Sequence, residues 1–222
     1  MAAPTIKTVS FLSPDATVKP ESGRSDLKVT LADGSLSSFA AATPDQPGFW
    51  TGKGQAAHYF SNPILFVSRL DTETTRVAID AMAHEMGGYW LRYYHCRDAV
   101  AAAAKGKAPR PKSPGLGTAS FRDASPHASP DHCSAVVEAV LKDGREFSIL
   151  ASTPTWFAEA FRKLGLRYYY GPAVLFVRKM DNAIVRKAVR EMAERGDTWL
   201  CRYDSPRTTL PQVLSDFRAR HP

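Results

Sequence analysis

Cysteine is nearly absent from this chain: 222 residues hold only Cys96, Cys133 and Cys201, an odd number at unrelated spacings. That excludes an evenly paired disulfide framework and points to a reducing, cytoplasmic setting. Long apolar runs are missing too, since no stretch approaches the roughly 18 residues a membrane-spanning helix needs. Residues 1–26 contain no apolar segment of signal-peptide length, and they carry Asp15, Glu21 and Asp26, unlike an acid-poor transit peptide. Catalytic signatures are equally scarce: there is no G-x-S-x-G, no H-E-x-x-H and no P-loop. Gly52-Lys53-Gly54 and Gly115-Leu116-Gly117 lack the strand–loop–helix context of a phosphate cradle.

Metal ligation finds no support either. His95-Cys96 and His132-Cys133 are adjacent pairs whose side chains diverge on an extended chain, and His127 stands alone. Zinc sites pair ligands about two to five residues apart, twice, so no metal or cofactor is expected. Cys201, beside Trp199 and Leu200, reads as a core thiol in a strand. One acid–base candidate is His84 with Glu85, near His58. The corresponding residues elsewhere in the chain are Glu194, Arg195 and Tyr168, and a solvated helix face accounts for His84 more simply.

What the chain does have is an internal repeat. Residues 31–83 lie over residues 141–193 without a gap, and 17 of those 53 positions are identical. After a one-residue slip, Trp90-Leu91 falls over Trp199-Leu200 and Tyr94 over Tyr203. A long period seen only twice indicates a duplicated small domain, not a solenoid with units of about 20–50 residues. In each copy, Asp33-Gly34 and Asp143-Gly144 sit between strand-like runs, the pattern of a hairpin with a type I′ turn. Thr43-Pro44 and Thr153-Pro154 open a first helix, with Thr as N-cap; Pro47, Gly48, Gly52 and Gly54 shorten or break the copy-one version.

The unbroken apolar runs 64–67 and 173–177 predict strands buried on both faces and central in a sheet. Asp71 and Asp181 cap a second helix, and Gly87 and Gly196 end it. Residues 89–94 and 198–203 read as closing strands. The expected fold class is therefore α+β: a tandem duplication of a small ββαβαβ domain, with an antiparallel or mixed sheet and two helices per copy. The expected organisation is an N-terminal tail (1–26), copy one (27–98), a Pro/Ser/Ala-rich flexible linker (99–134), copy two (135–207) and a short C-terminal helix (208–222). Ser113-Pro114, Ser125-Pro126 and Ser129-Pro130 in the linker suit proline-directed kinases and give the chain a eukaryotic look.

Charge distinguishes the copies. The net charge is +7 overall, −1 over residues 27–98 and +5 over residues 135–222. Arg186, Lys187 and Arg190 share one side of the second helix of copy two, with Arg195 nearby, where copy one has Arg76, Val77 and Asp80. Arg167, Tyr168 and Tyr170 lie in an arginine–tyrosine run suited to stacking on bases and meeting phosphate. These seven residues are the expected partner-binding set. The leading expectation is a non-enzymatic bivalent adaptor, or structural part of a larger assembly. Its basic second copy would dock on an acidic protein surface, such as a cytoskeletal polymer (microtubules) or a ribonucleoprotein. The alternative is an RNA- or single-stranded nucleic-acid-binding protein, and the third reading is a small enzyme with its site between the repeats.

Overall fold

Neither of the two structural units is a continuous piece of sequence. The computed structural model describes residues 4–12, 21–52, 54–60, 63–95, 115–122, 129–205 and 208–222. Unit 1 takes Met1–Gln46, Asn62–Ala108 and Leu166–Gly171, and unit 2 takes Pro47–Ser61, Pro109–Gly165 and Pro172–Pro222. The fold is mixed α+β, with two five-stranded sheets and several helices.

Unit 1 is built on a sheet of β1 (Ile6–Phe11), β2 (Arg24–Leu31), β3 (Leu36–Ala42), β5 (Ile64–Val67) and β9 (Tyr168–Tyr169), in that spatial order. All neighbours are antiparallel except β3 and β5, which run parallel. The β2–β3 hairpin turns over Asp33-Gly34, as the sequence suggests, but by a different turn. The Gly34 N–H donates to the Leu31 carbonyl and the Leu31 N–H to the Ser35 carbonyl, and only Gly34, at φ +83°, is left-handed. That is a three-residue loop with a bulge at glycine, so Asp33 keeps an ordinary φ and its carboxylate accepts the Ser35 N–H at 2.9 Å. Gly144 repeats the geometry at φ +88°.

Leu27, Val29, Phe39, Leu65 and Val67 bury one face of this sheet. Helix α2 (Thr72–His84) contributes Ala78, Ile79, Met82 and Ala83 to the core, at the spacing of one helix face. Full burial of side chains such as Ile79 and Met82 stabilises the unit by about 1.5–3 kcal/mol each. Asp71 caps α2 by accepting the Thr74 N–H at 2.7 Å. The helix stops at His84, and the chain turns through Met86 and Gly87 at positive φ before α3 (Tyr89–His95).

Unit 2 has β6 (Leu116–Phe121), β7 (Ser134–Leu141), β8 (Glu146–Ser152), β10 (Val174–Val177) and β4 (His58–Tyr59), in order β4-β10-β8-β7-β6. Helix α1 (Gln46–Thr51) precedes β4. The other helices of unit 2 are α4 (Pro154–Lys163), α5 (Asn182–Arg195), α6 (Asp197–Tyr203) and α7 (Leu210–Arg220). One sheet face, with Val137, Ile149, Leu175 and Val177, packs against Val185, Val189 and Met192 of α5 and Leu200 and Tyr203 of α6. On the other side, α7 packs on β7, β8 and α4, and Phe157 meets Phe176 edge-on at 5.2 Å. Asp181 caps α5, accepting the N–H groups of Ala183 and Ile184, and Gly196 ends it. No helix of the described residues is long and apolar enough to cross a membrane.

Several expectations give way. Residues 89–95 and 197–203 are helices, not closing strands, so the ββαβαβ order is not what is observed. Their deciding feature is a spacing of three: Leu91 and Tyr94, like Leu200 and Tyr203, are buried on one helical face. Cys201 accordingly lies exposed on α6. Residues 6–11, expected in a tail, form β1, and residues 116–121, expected in the linker, form β6. The signal was present, because the offset of 110 also lays Thr8, Ser10 and Phe11 over Thr118, Ser120 and Phe121.

Strand β5 is one from the edge, with β9 outside it, and β10 is likewise covered by β4. Helix α1 is indeed short, six residues against ten in α4. Thr153 stands at the N-terminus of α4, but its hydroxyl makes no cap bond. It accepts the Cys133 N–H at 3.0 Å instead, as Thr43 does for Gly23.

Candidate functional site: matched aromatic strands and a basic helix face

The two outermost short strands carry the side chains of interest. Residues two apart on a strand share a face, so His58 lies beside Phe60 and Tyr168 beside Tyr170. The His58 and Phe60 rings are parallel within 5° at 6.0 Å, and the Tyr168 and Tyr170 rings within 4° at 5.9 Å. A tryptophan from the last helix of each repeat completes the cluster: Trp199 lies 5.5 Å from Phe60, and Trp90 lies 5.9 Å from Tyr170. Gly171 follows β9 because a Cβ there would fall 2.7 Å from the Tyr169 hydroxyl oxygen.

Around this shared frame the chemistry differs. In unit 2, His58 is 8% exposed and its Nε2 lies 3.1 Å from Glu191 Oε2. A carboxylate only accepts, so Nε2 is the donor, and Nδ1 is buried with no hydrogen-bond partner among the described residues. The Arg195 guanidinium lies over Phe60 at 4.7 Å and over Trp199 at 5.6 Å, within cation–π range. In unit 1 the residues at the equivalent positions are Tyr168 for His58, Ala81 for Glu191 and Glu85 for Arg195. Burial raises the Tyr168 hydroxyl above the ordinary tyrosine range; the Arg167 charge offsets this, and the Glu85 charge adds to it. Tyr94 is wholly buried, which pushes its hydroxyl far up; it accepts the Gly171 N–H at 3.3 Å.

The seven residues expected to bind a partner divide between the units. Arg167, Tyr168 and Tyr170 belong to unit 1, and Arg186, Lys187, Arg190 and Arg195 to unit 2. Arg167 is exposed and lies 3.8 Å from Glu73. Tyr168 is half-buried. Tyr170 is 1% exposed, so its ring offers no open face to a base, contrary to the stacking expectation; it is packed between Tyr168 and Trp90. Arg186 is exposed on α5, its Nε donating to the Ala119 carbonyl at 3.2 Å. Lys187 and Arg190 are exposed on the same helix, with no carboxylate paired to either among the described residues. Arg195 is engaged by the two rings beneath it.

His84 donates to its own helix, Nδ1 to the Asp80 carbonyl at 2.7 Å, and belongs to unit 1, whereas His58 belongs to unit 2. The carboxylate partner of His58 is Glu191, which the sequence reading did not single out. Its signal was a paired difference at repeat-equivalent positions, His58 for Tyr168 and Glu191 for Ala81. Cys133 is a buried thiol whose pKa burial raises, and Cys96 and His127 lie outside the described residues. Among the described residues no group of three or more His, Cys, Asp or Glu side chains is placed to hold a metal ion. The chain matches no protein-family model, no curated protein and no solved structure.

Proposed function

We propose that the protein is a non-enzymatic bivalent adaptor, a tandem duplication whose basic second repeat docks on an acidic protein surface. The observation that carries this reading is the outer row of α5. Arg186, Lys187 and Arg190 stand there exposed, whereas the equivalent row of α2 is Arg76, Val77 and Asp80, with Arg76 and Asp80 drawn together at 3.8 Å. One repeat neutralises its helix face and the other leaves it positive. Several cations on one exposed face raise the rate of encounter with an acidic partner more than they raise affinity. Two units on one chain then make the second contact effectively intramolecular.

An acidic cytoskeletal polymer in the cytoplasm is the partner class we favour, and microtubules assembled from purified tubulin are the first probe. Nucleic acid is disfavoured as the partner because the buried Tyr170 cannot stack on a base. Lys187→Glu combined with Arg190→Glu is expected to weaken co-sedimentation about tenfold at low salt. Arg186 is left alone because of its bond to Ala119. Pelleting equal to that of the native protein would overturn the proposal. Salt-sensitive binding to mixed oligonucleotides in place of tubulin would transfer it to nucleic acid.

A further inference from the structure

Each unit contains one short strand from the other half of the sequence: β9 lies on β5 in unit 1, and β4 lies on β10 in unit 2. The backbone that receives these strands is the same in both. Leu65-Phe66-Val67 and Leu175-Phe176-Val177 are identical triplets, Phe66 faces Tyr169 as Phe176 faces Tyr59, and the register is equivalent throughout. Even the bond leading out of the ladder repeats: Ser68 N–H donates to the Arg167 carbonyl at 2.8 Å, and Arg178 N–H to the Ala57 carbonyl at 2.9 Å. Main-chain pairing therefore cannot tell β4 from β9, and each sheet edge could accept the strand of its own half.

The side chains can tell them apart. In unit 2, His58 of the incoming strand meets Glu191 at 3.1 Å; the equivalent residues in unit 1 are Tyr168 and Ala81. In unit 1, Arg167 of the incoming strand meets Glu73 at 3.8 Å; the equivalent residues in unit 2 are Ala57 and Ala183. Each of these polar pairs thus faces, at the matching place in the other unit, two residues that lack its histidine or arginine and its carboxylate. Phe60 adds a third element by receiving Arg195, where unit 1 has Glu85. On the wrong edge, β4 would lose the Glu191 carboxylate at His58 and the Arg195 guanidinium at Phe60, and β9 would lose the Glu73 carboxylate at Arg167.

We propose that the edges of β5 and β10 are addressed strand-docking surfaces, each selecting the strand of the other half and rejecting its own. The two halves of the chain then recognise each other as different partners. His58–Glu191 carries most of the discrimination, because the imidazole is buried and a hydrogen bond to a charged group is strong there. Arg167–Glu73 is an exposed ion pair and adds little beyond orientation. Discrimination of this kind needs both the matching pair and the penalty on the wrong one.

The test begins with the full chain carrying a protease site between residues 104 and 105, cut after folding. Native mass spectrometry is expected to show the fragments held together one to one. After unfolding, mixing with isotope-labelled fragments and refolding, only mixed pairs of a first and a second half should form. Fragments that separate on cutting, or that pair with their own kind as often as with each other, would overturn the proposal. A second protein gives 57, 58 and 60 the side chains of 167, 168 and 170 (Ala57→Arg, His58→Tyr, Phe60→Tyr). Its cut fragments should associate at least about tenfold more weakly, the worth of one charged hydrogen bond. Glu191→Gln, which keeps an acceptor for Nε2, should lose less than Glu191→Ala. Equal association in the strand-swapped and native proteins would refute the address, whether or not the fragments stay together.

Discussion

Strand β5 of unit 1 and strand β10 of unit 2 carry the same Leu-Phe-Val triplet, yet the strands beside them bring different chemistry. In unit 2 a histidine meets a carboxylate and a guanidinium covers the rings; in unit 1 two tyrosines stack in a setting that includes Glu85. The helix behind each sheet differs in the same sense, positive on its outer row in unit 2 and internally paired in unit 1. What the repeats share is main-chain geometry and core volume. What they do not share is placed on the outer strands and on the exposed row of the helix, the positions on which both proposals rest.

That comparison can be broken at three levels. The largest effect should come from the stacked rings: Phe60→Ala and Tyr170→Ala each remove a buried aromatic side chain, at a cost of about 3–5 kcal/mol in urea unfolding. Similar losses would support the equivalence of the two clusters, and a loss in one alone would end it. Next, Glu191→Ala leaves the buried His58 N–H without its acceptor, at a cost of about 1–3 kcal/mol. Adding His58→Tyr recreates the Tyr–Ala pair of unit 1 and should recover part of that loss, which a double-mutant cycle would read as coupling.

The smallest effect is at the helix caps, where Asp71→Ala and Asp181→Ala should each cost about 1 kcal/mol. The Asp71 carboxyl is held below the ordinary aspartate range, chiefly by the Thr74 N–H, against the opposing effect of burial. Its folded-state pKa being depressed, its contribution is present above the unfolded pKa of about 3.8 and is lost as pH falls through the lower folded value. Denaturation curves of the native protein and the Asp71→Ala variant should therefore converge on the acid side.

Much of this was legible in the chain and some was not, for reasons that differ by residue. Asp33-Gly34 announced its turn because glycine alone accepts the left-handed φ at no cost. Asp71 and Asp181 announced their helices because a short carboxylate can reach the first free N–H groups. Residues 89–95 misled because Tyr-Trp-Leu-Arg-Tyr-Tyr is rich in strand-favouring side chains, and the tertiary burial of Leu91 and Tyr94 overrode that preference. Of the candidate site, Arg186, Lys187 and Arg190 could be placed on one helix face from spacing alone. The His58–Glu191 pair could not, since 133 positions separate its members.

By itself, then, the sequence determined what depends on near neighbours: turns, caps, helix faces, the period of 110 and the imbalance of charge. The tertiary structure alone decided which edge takes His58-Tyr59 and which takes Tyr168-Tyr169. Strands of two residues carry too little local preference to choose a partner. Their destination is fixed by contacts with side chains far away in sequence, which exist only once both sheets have formed.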